Sequence, residues 1–233
     1  RPRKKNLQAW RNFASAARRA KTPVRIGIVG KYFDTGEFIL EDSYISVIEA
    51  IKHAAYSLNR KPVIEWINAE KLPNLSQYQG LIVPGGFGGR GIEGKIRAIN
   101  YARTKKIPFF GLCYGMQLAV VEFARSVGKL RRANSTEIDS GTPHPVIDIL
   151  PEQKEILEKS DYGATMRLGA WPAVLKDKTI VRTAYGRQKI SERHRHRYEI
   201  NPEYIERLEK KGIIFSGTSP DRRLMEIAEL SRR

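Results

Sequence analysis

Phe109-Phe110-Gly111-Leu112-Cys113-Tyr114-Gly115-Met116-Gln117 reads as an apolar strand that runs through G-x-C-x-G into a helix. It is the thiol counterpart of the G-x-S-x-G nucleophile elbow. The flanking glycines permit the tight strand-to-helix turn, and the turn lifts the Cys113 side chain clear of the backbone. A helix N-terminus favours the thiolate, so this position predicts a Cys113 more acidic than a free thiol. The competing reading is a cysteine buried at the end of a core strand, a common fate of that small apolar side chain.

Working outward, short apolar runs alternate with helical periods from residue 24 onward, the signature of βαβ units. Residues 24–29, 63–67, 81–83 and 108–112 read as strands. A stripe of Tyr44, Val47, Ile48, Ile51, Ala54, Ala55 and Leu58, with Asp42 or Ser43 as N-cap, predicts a helix after the loop at 30–41. Ile92–Lys105 and residues 115–127 predict two more. The fold class is therefore α/β: an open, mostly parallel, doubly wound sheet flanked by helices. A smaller, strand-rich C-terminal part follows. There, residues 165–168, 180–181, 198–200, 213–215 and 224–230 are strand-like, and a helix is signalled by Asn201 as cap, Pro202 at its first position and Gly212 past its end. The strand at 224–230 is the last element, which suggests a domain that is C-terminally incomplete.

Ahead of the first strand, Leu7, Trp10, Phe13, Ala14 and Ala17 have amphipathic spacing within a basic stretch that Pro23 stops. Residues 1–22 read as a basic helical interdomain linker burying Trp10 and Phe13 on one face, and residues 23–233 as the main domain. A plain surface helix fits the same periodicity.

The 233 residues, 41% hydrophobic, suffice for one substantial core. Lys and Arg number 42 against 25 Asp and Glu, a net charge of +17. Such an excess is also the footprint of nucleic-acid binders. Here the basic clusters at 1–5, 18–21, 131–132 and 193–197 are scattered, and no helix-turn-helix, zinc or RNP pattern accompanies them. A solvated surface, or one facing an acidic partner domain, is expected instead of a nucleic-acid interface. No apolar run approaches the roughly 18–20 residues that cross a bilayer and no signal-peptide core is present, so a cytoplasmic protein without membrane contact is expected. The single cysteine forms no internal disulfide and no thiolate metal cluster.

A second signal lies one βα unit before the elbow, at Leu81-Ile82-Val83-Pro84-Gly85-Gly86-Phe87-Gly88-Gly89-Arg90. A glycine-rich loop at the carboxyl end of a parallel strand exposes backbone N–H groups where α/β sheets bind ligands. The run lacks G-x-x-x-x-G-K-[ST] and a clean G-x-G-x-x-G, so an oxyanion hole is favoured over a phosphate cradle.

The segments Pro84–Gly88 (PGGFG) and Gly111–Gln117 (GLCYGMQ) resemble the class I glutamine amidotransferases. Six further segments narrow the resemblance to the glutaminase domain of CTP synthase. They are Gly30-Lys31-Tyr32, Asp42-Ser43-Tyr44, Gly88-Gly89-Arg90-Gly91-Ile92-Glu93-Gly94, Ala133-Asn134-Ser135-Thr136-Glu137, Thr165-Met166-Arg167-Leu168-Gly169 and Glu192-Arg193-His194-Arg195-His196-Arg197-Tyr198-Glu199. The resemblance covers residues 22–230, and residues 1–21 are similar to the linker from a preceding synthetase domain.

It implies that Cys113 attacks the side-chain amide of L-glutamine, with an oxyanion hole formed by the backbone N–H groups of Gly86 and Tyr114. Gln117, Glu137 and Arg197 would complete the glutamine site, Glu137 facing the substrate ammonium and Arg197 its carboxylate. Catalytic His-Pro-Glu, which the family places beyond the strand matching 224–230, does not occur in this sequence. His194 and His196 resemble a structural run instead of a base, and His53 and His144 match no catalytic position. The resemblance implies no cofactor or metal in this domain, with ATP and Mg2+ belonging to the synthetase domain of a homo-oligomeric, tetrameric enzyme that aminates UTP to CTP. Two departures stand out: Tyr114 replaces the more usual leucine, which is harmless if only its N–H is used, and Ala164 replaces a glycine. A non-catalytic module that keeps the fold is the rival reading.

Overall fold

The computed structural model describes residues 7–30, 44–86, 88–149 and 167–230. The chain forms two compact units, one of Arg1–Pro84 with Arg90–Leu112, the other of Gly85–Gly89 with Cys113–Arg233.

In the first unit four strands, β1 (Pro23–Gly30), β2 (Lys61–Asn68), β3 (Gly80–Val83) and β4 (Phe109–Gly111), form a parallel sheet in the order β2-β1-β3-β4. The order reverses on either side of β1, as expected of a doubly wound sheet. The last four residues of β1 are buried, with Ile28 and Val29 fully so. Helices α1 (Gln8–Arg19), α2 (Ile45–Ser57) and α3 (Ile92–Lys105) belong to the same unit. Buried Ile92, Ile96, Ile99 and Ala102 form the apolar stripe of α3. A Cβ on Gly94 of this helix would stand 1.6 Å from the carbonyl oxygen of Ala69, so only glycine lets α3 approach the backbone beyond β2 so closely.

Two local expectations need amendment. Helix α1 forms and its Phe13 ring lies 4.3 Å from that of His53 on α2, but the helix has no fully buried residue and Trp10 is 65% exposed. The expected caps of α2, Asp42 and Ser43, lie outside the described residues together with most of the loop at 30–41.

The second unit opens with α4 (Tyr114–Ser126), which buries Leu118, Val120, Val121, Phe123 and Ala124. Strands β5 (Asn134–Ser135), β6 (Pro145–Ile149) and β9 (Tyr198–Ile200) make a small mixed sheet, β5-β6-β9. Strands β7 (Arg167–Leu175), β8 (Lys189–His196), β10 (Ile213–Thr218) and β11 (Met225–Leu230) make an antiparallel one, β11-β10-β7-β8, in which β11 is an edge. Helix α6 (Pro202–Glu209) starts as its sequence predicts: the Asn201 side chain accepts the Glu203 N–H at 3.1 Å.

The strand expected at 180–181 is instead the start of helix α5 (Ile180–Tyr185). Its first turn is capped twice. Thr179 Oγ accepts the Arg182 N–H at 3.2 Å, and the Glu229 carboxylate of β11 accepts the N–H groups of Ile180 and Val181 at 2.9 and 3.2 Å. An acid at a helix N-terminus also complements the helix dipole. Of the strand expected at 165–168, Arg167 and Leu168 open β7 and the first two residues lie outside the described residues, as does Ala164.

Candidate active site

Where β4 ends, the chain turns through Cys113 into α4. Cys113 has φ +52° and ψ −105°, backbone space that a side-chain-bearing residue rarely occupies and that costs about 1–3 kcal/mol. Hydrogen bonds hold it there. The Leu112 N–H donates to Val83 O at 2.9 Å, and the Cys113 carbonyl accepts from Met116 and Gln117 at 3.0 and 3.1 Å. The result is the strained turn of a nucleophile elbow, with the thiol exposed.

The acidity expected of Cys113 is overturned. Protein atoms crowd the sulfur despite its solvent exposure, and this desolvation raises the thiol pKa; the Tyr114 backbone N–H opposes it, while the carboxylates of Glu199 and Glu137 add to it. Two nearby negative charges and a dry flank outweigh the helix N-terminus. Cys113 therefore rests as a thiol.

Gly86, Gly88 and Tyr114 lie in the same unit as Cys113, whereas Phe87 is outside the described residues. Tyr114 is buried and its hydroxyl donates to the Gly88 carbonyl at 3.0 Å. The Gly88 N–H in turn points to Glu137 Oε1 at 3.4 Å, with Gly88 at φ +74°, a conformation glycine accepts without cost. Glu137 is half-buried; burial raises the pKa values of Cys113, Tyr114 and Tyr198, and the Glu137 charge adds to the rise in each. Gln117 is buried on α4 and spends its amide nitrogen on the Tyr198 carbonyl at 2.8 Å, tying β9 to the helix. Beside Tyr198, the Nε of Arg197 is buried with no hydrogen-bond partner, an orphan donor of the kind a bound anion satisfies.

A second polar cluster in this unit joins Arg167, His194 and Glu199, which the sequence shows only in separate motifs, to Glu226. The Arg167 guanidinium donates to Glu199 at 2.8 Å and to Glu226 at 2.5 Å, all three side chains being about 95% buried. It also lies 4.7 Å above the Trp171 ring, a cation–π distance. Glu226 reaches on to His194 Nε2 at 2.7 Å, while His194 Nδ1 is 2.9 Å from the Glu192 carbonyl oxygen. Both partners are acceptors, so the protonated ring spends both of its N–H groups on them. His53 lies against Phe13 with the rings tilted by 38°, His144 packs edge-on to Tyr204, and the His196 side chain lies outside the described residues. Among the described residues no trio of potential metal ligands converges, and no helix is long and apolar enough to cross a membrane.

The cluster makes folding stability pH-dependent. The Glu226 hydrogen bond raises the His194 pKa above 6.5, outweighing burial and the Arg167 charge. Burial pushes Glu226 up, but the hydrogen bonds from His194 and Arg167 hold it below 4.5. The His194 contribution is complete below pH 6.5 and fades as pH rises through its folded pKa; that of Glu226 is complete above pH 4.5 and fades on acidification below it. Urea midpoints should therefore fall above neutrality, and His194→Gln should flatten that alkaline limb. An unchanged limb in the variant would remove His194 from the linkage.

With this geometry established, comparison with known proteins is specific. The family model for Glutamine amidotransferase class-I matches residues 39–233. CTP synthase of Shouchella clausii is 49% identical over 232 residues, covering 97% of this chain and 42% of the relative. CTP synthase of Methanocaldococcus jannaschii is 50% identical over 242 residues, covering 99% and 43%. The chain thus spans about two fifths of these curated relatives. The solved glutaminase domain of Trypanosoma brucei CTPS, with bound acivicin, superposes with a TM-score of 0.76 at 33% identity over 89% of this chain and 79% of that one. The chain belongs to the class I glutamine amidotransferases, as a glutaminase domain of the CTP synthase kind.

Proposed function

We propose that this domain hydrolyses L-glutamine through a thioester on Cys113 and passes the ammonia to a synthetase domain that aminates UTP to CTP with ATP and Mg2+. The observation that carries the reading is the strained elbow at Cys113, beside a glycine loop and within the field of Glu137. Cys113 Sγ attacks the amide carbon, and the carbonyl electrons move onto oxygen, where the N–H groups of Gly86 and Tyr114 stabilise the charge. Collapse breaks the C–N bond and the nitrogen leaves as ammonia after taking a proton. Water then cleaves the thioester to glutamate.

The raised thiol pKa makes a base necessary, because sulfur must lose its proton as it attacks. His194 is engaged at both nitrogens, and the sequence contains no His-Pro-Glu. The His-Pro-Glu of the family is the proposed base and orienting acid, and these 233 residues do not contain it. A polypeptide of these 233 residues alone is expected to turn over poorly. No cofactor is assigned to the domain itself; a cytoplasmic homo-oligomer with the synthetase domain as partner completes the proposal. Residues 1–22 are its linker.

Glu137 and the orphan Nε of Arg197 are assigned to the ammonium and carboxylate of glutamine. Each charge-assisted contact is worth about 1.5–3 kcal/mol, so Glu137→Ala and Arg197→Ala should each weaken glutamine binding about tenfold or more in calorimetric titrations. Wild-type affinity in both variants would remove them from the site.

A further inference from the structure

Tyr114 is the residue whose side chain the proposed reaction leaves unused, and its surroundings give it a task. The ring is almost wholly buried at the first position of α4, and its hydroxyl donates to the Gly88 carbonyl at 3.0 Å. The loop at 85–89 that receives this bond carries Gly86, the second proposed oxyanion donor. Gly88 is held from its other side too, since its N–H faces Glu137 at 3.4 Å. A single residue therefore contributes one oxyanion donor through its backbone and fastens the loop bearing the other through its side chain.

We infer that the Tyr114 hydroxyl is a positioning group that fixes the spacing between the Gly86 and Tyr114 N–H groups. This deepens the glutaminase reading and rests on it. A leucine at this position offers no donor to the loop, so the tether is specific to chains with tyrosine here. Burial, with the Glu137 charge added, pushes the phenol pKa far above its ordinary value, so the hydroxyl remains a donor throughout the working pH range. The spacing matters because an oxyanion hole acts by preorganisation: donors must already stand where charge develops, and small displacements cost rate more than binding.

The test is Tyr114→Phe in the intact protein, which deletes one oxygen and retains the buried ring. Glutamine hydrolysis should lose about tenfold or more in kcat while KM stays within about twofold, because the loss falls on the developing charge and not on ground-state contacts. Alkylation of Cys113 by iodoacetamide, which uses no oxyanion donor, should proceed at the wild-type rate. Amide hydrogen exchange in peptides covering residues 84–90 should accelerate, a readout that needs no activity.

An unchanged kcat, or unchanged exchange of that loop, would overturn the inference. So would a parallel loss of kcat, glutamine affinity and normal alkylation, which would mark a collapsed site. Wild-type protein with no glutaminase activity would refute the proposed function instead, and loop exchange would still report on the tether.

Discussion

Cys113→Ala should lower ammonia release from glutamine by about four powers of ten or more, with glutamine affinity nearly unchanged. Removing one member of a nucleophile–base unit costs about as much as removing the unit, and the remaining oxyanion donors sustain only residual catalysis. Cys113→Ser should fare little better, because the elbow sets the position of the attacking atom while the reaction is matched to sulfur. A polypeptide confined to the 233 residues should show a comparable deficit, and extension through a His-Pro-Glu segment should reverse it. Equal turnover by the short and extended chains, both of verified mass, would mean that the base lies within residues 1–233. Such an outcome would direct attention to His196, since His194 has both nitrogens bound to acceptors.

Arg167→Ala should destabilise the domain by about 3–5 kcal/mol, because it takes the cation from beside buried Glu199 and leaves Glu226 only His194, in a site that excludes water. Glu199 and Glu226 have side chains only 4% exposed, so neither can turn to solvent for relief. The urea midpoint should drop with little change in slope, the mark of lost stability with an unaltered unfolded state. Combining Arg167→Met with Glu199→Gln and Glu226→Gln should recover part of the loss, since removing the guanidinium together with both carboxylates it pairs is far cheaper than removing it alone, and His194 without the Glu226 charge is free to be neutral. If Arg167→Ala unfolds at the wild-type midpoint, the cluster is not the internal brace its geometry indicates. The same variant should also change Cys113, because Glu199, freed from its partner, is one of the charges that raise the thiol pKa.

The half of the fold built on parallel strands is legible because its strands are short apolar runs and its helices carry stripes, as with Ile92, Ile96 and Ile99 of α3. The elbow is legible for a different reason: G-x-C-x-G encodes a turn, and Cys113 adopts the positive φ that such a turn demands. The C-terminal half is harder to read. Strand β8 carries Ser191, Glu192, Arg193, His194 and Arg195 in succession, and among its described side chains Ile190 alone is deeply buried, so no alternation marks it as a strand. It is held by its ladder to β7, with Ile190 packed beside Ala173 and Leu175.

Helix α5 begins with Ile180 and Val181, a pair suited to a strand, and is fixed by a carboxylate 49 residues away at Glu229. Local sequence cannot report such a cap. The direction of the Cys113 shift is hidden for the same reason: the helix N-terminus is visible in the motif, whereas the burial that raises the thiol pKa, and the Glu199 and Glu137 charges that add to it, arise only on folding. The buried cluster follows the same rule, since Arg167 meets partners 32 and 59 residues ahead of it. Each of these residues alone reads as a surface charge.

The central claim is covalent catalysis at Cys113, and rapid acid quench of the intact protein with glutamine tests it most directly. Digestion and mass spectrometry should find a glutamyl group on the peptide bearing Cys113, released by hydroxylamine as a thioester is and missing from Cys113→Ala. Steady ammonia release with the adduct on another residue, or undiminished release by Cys113→Ala, would contradict the account.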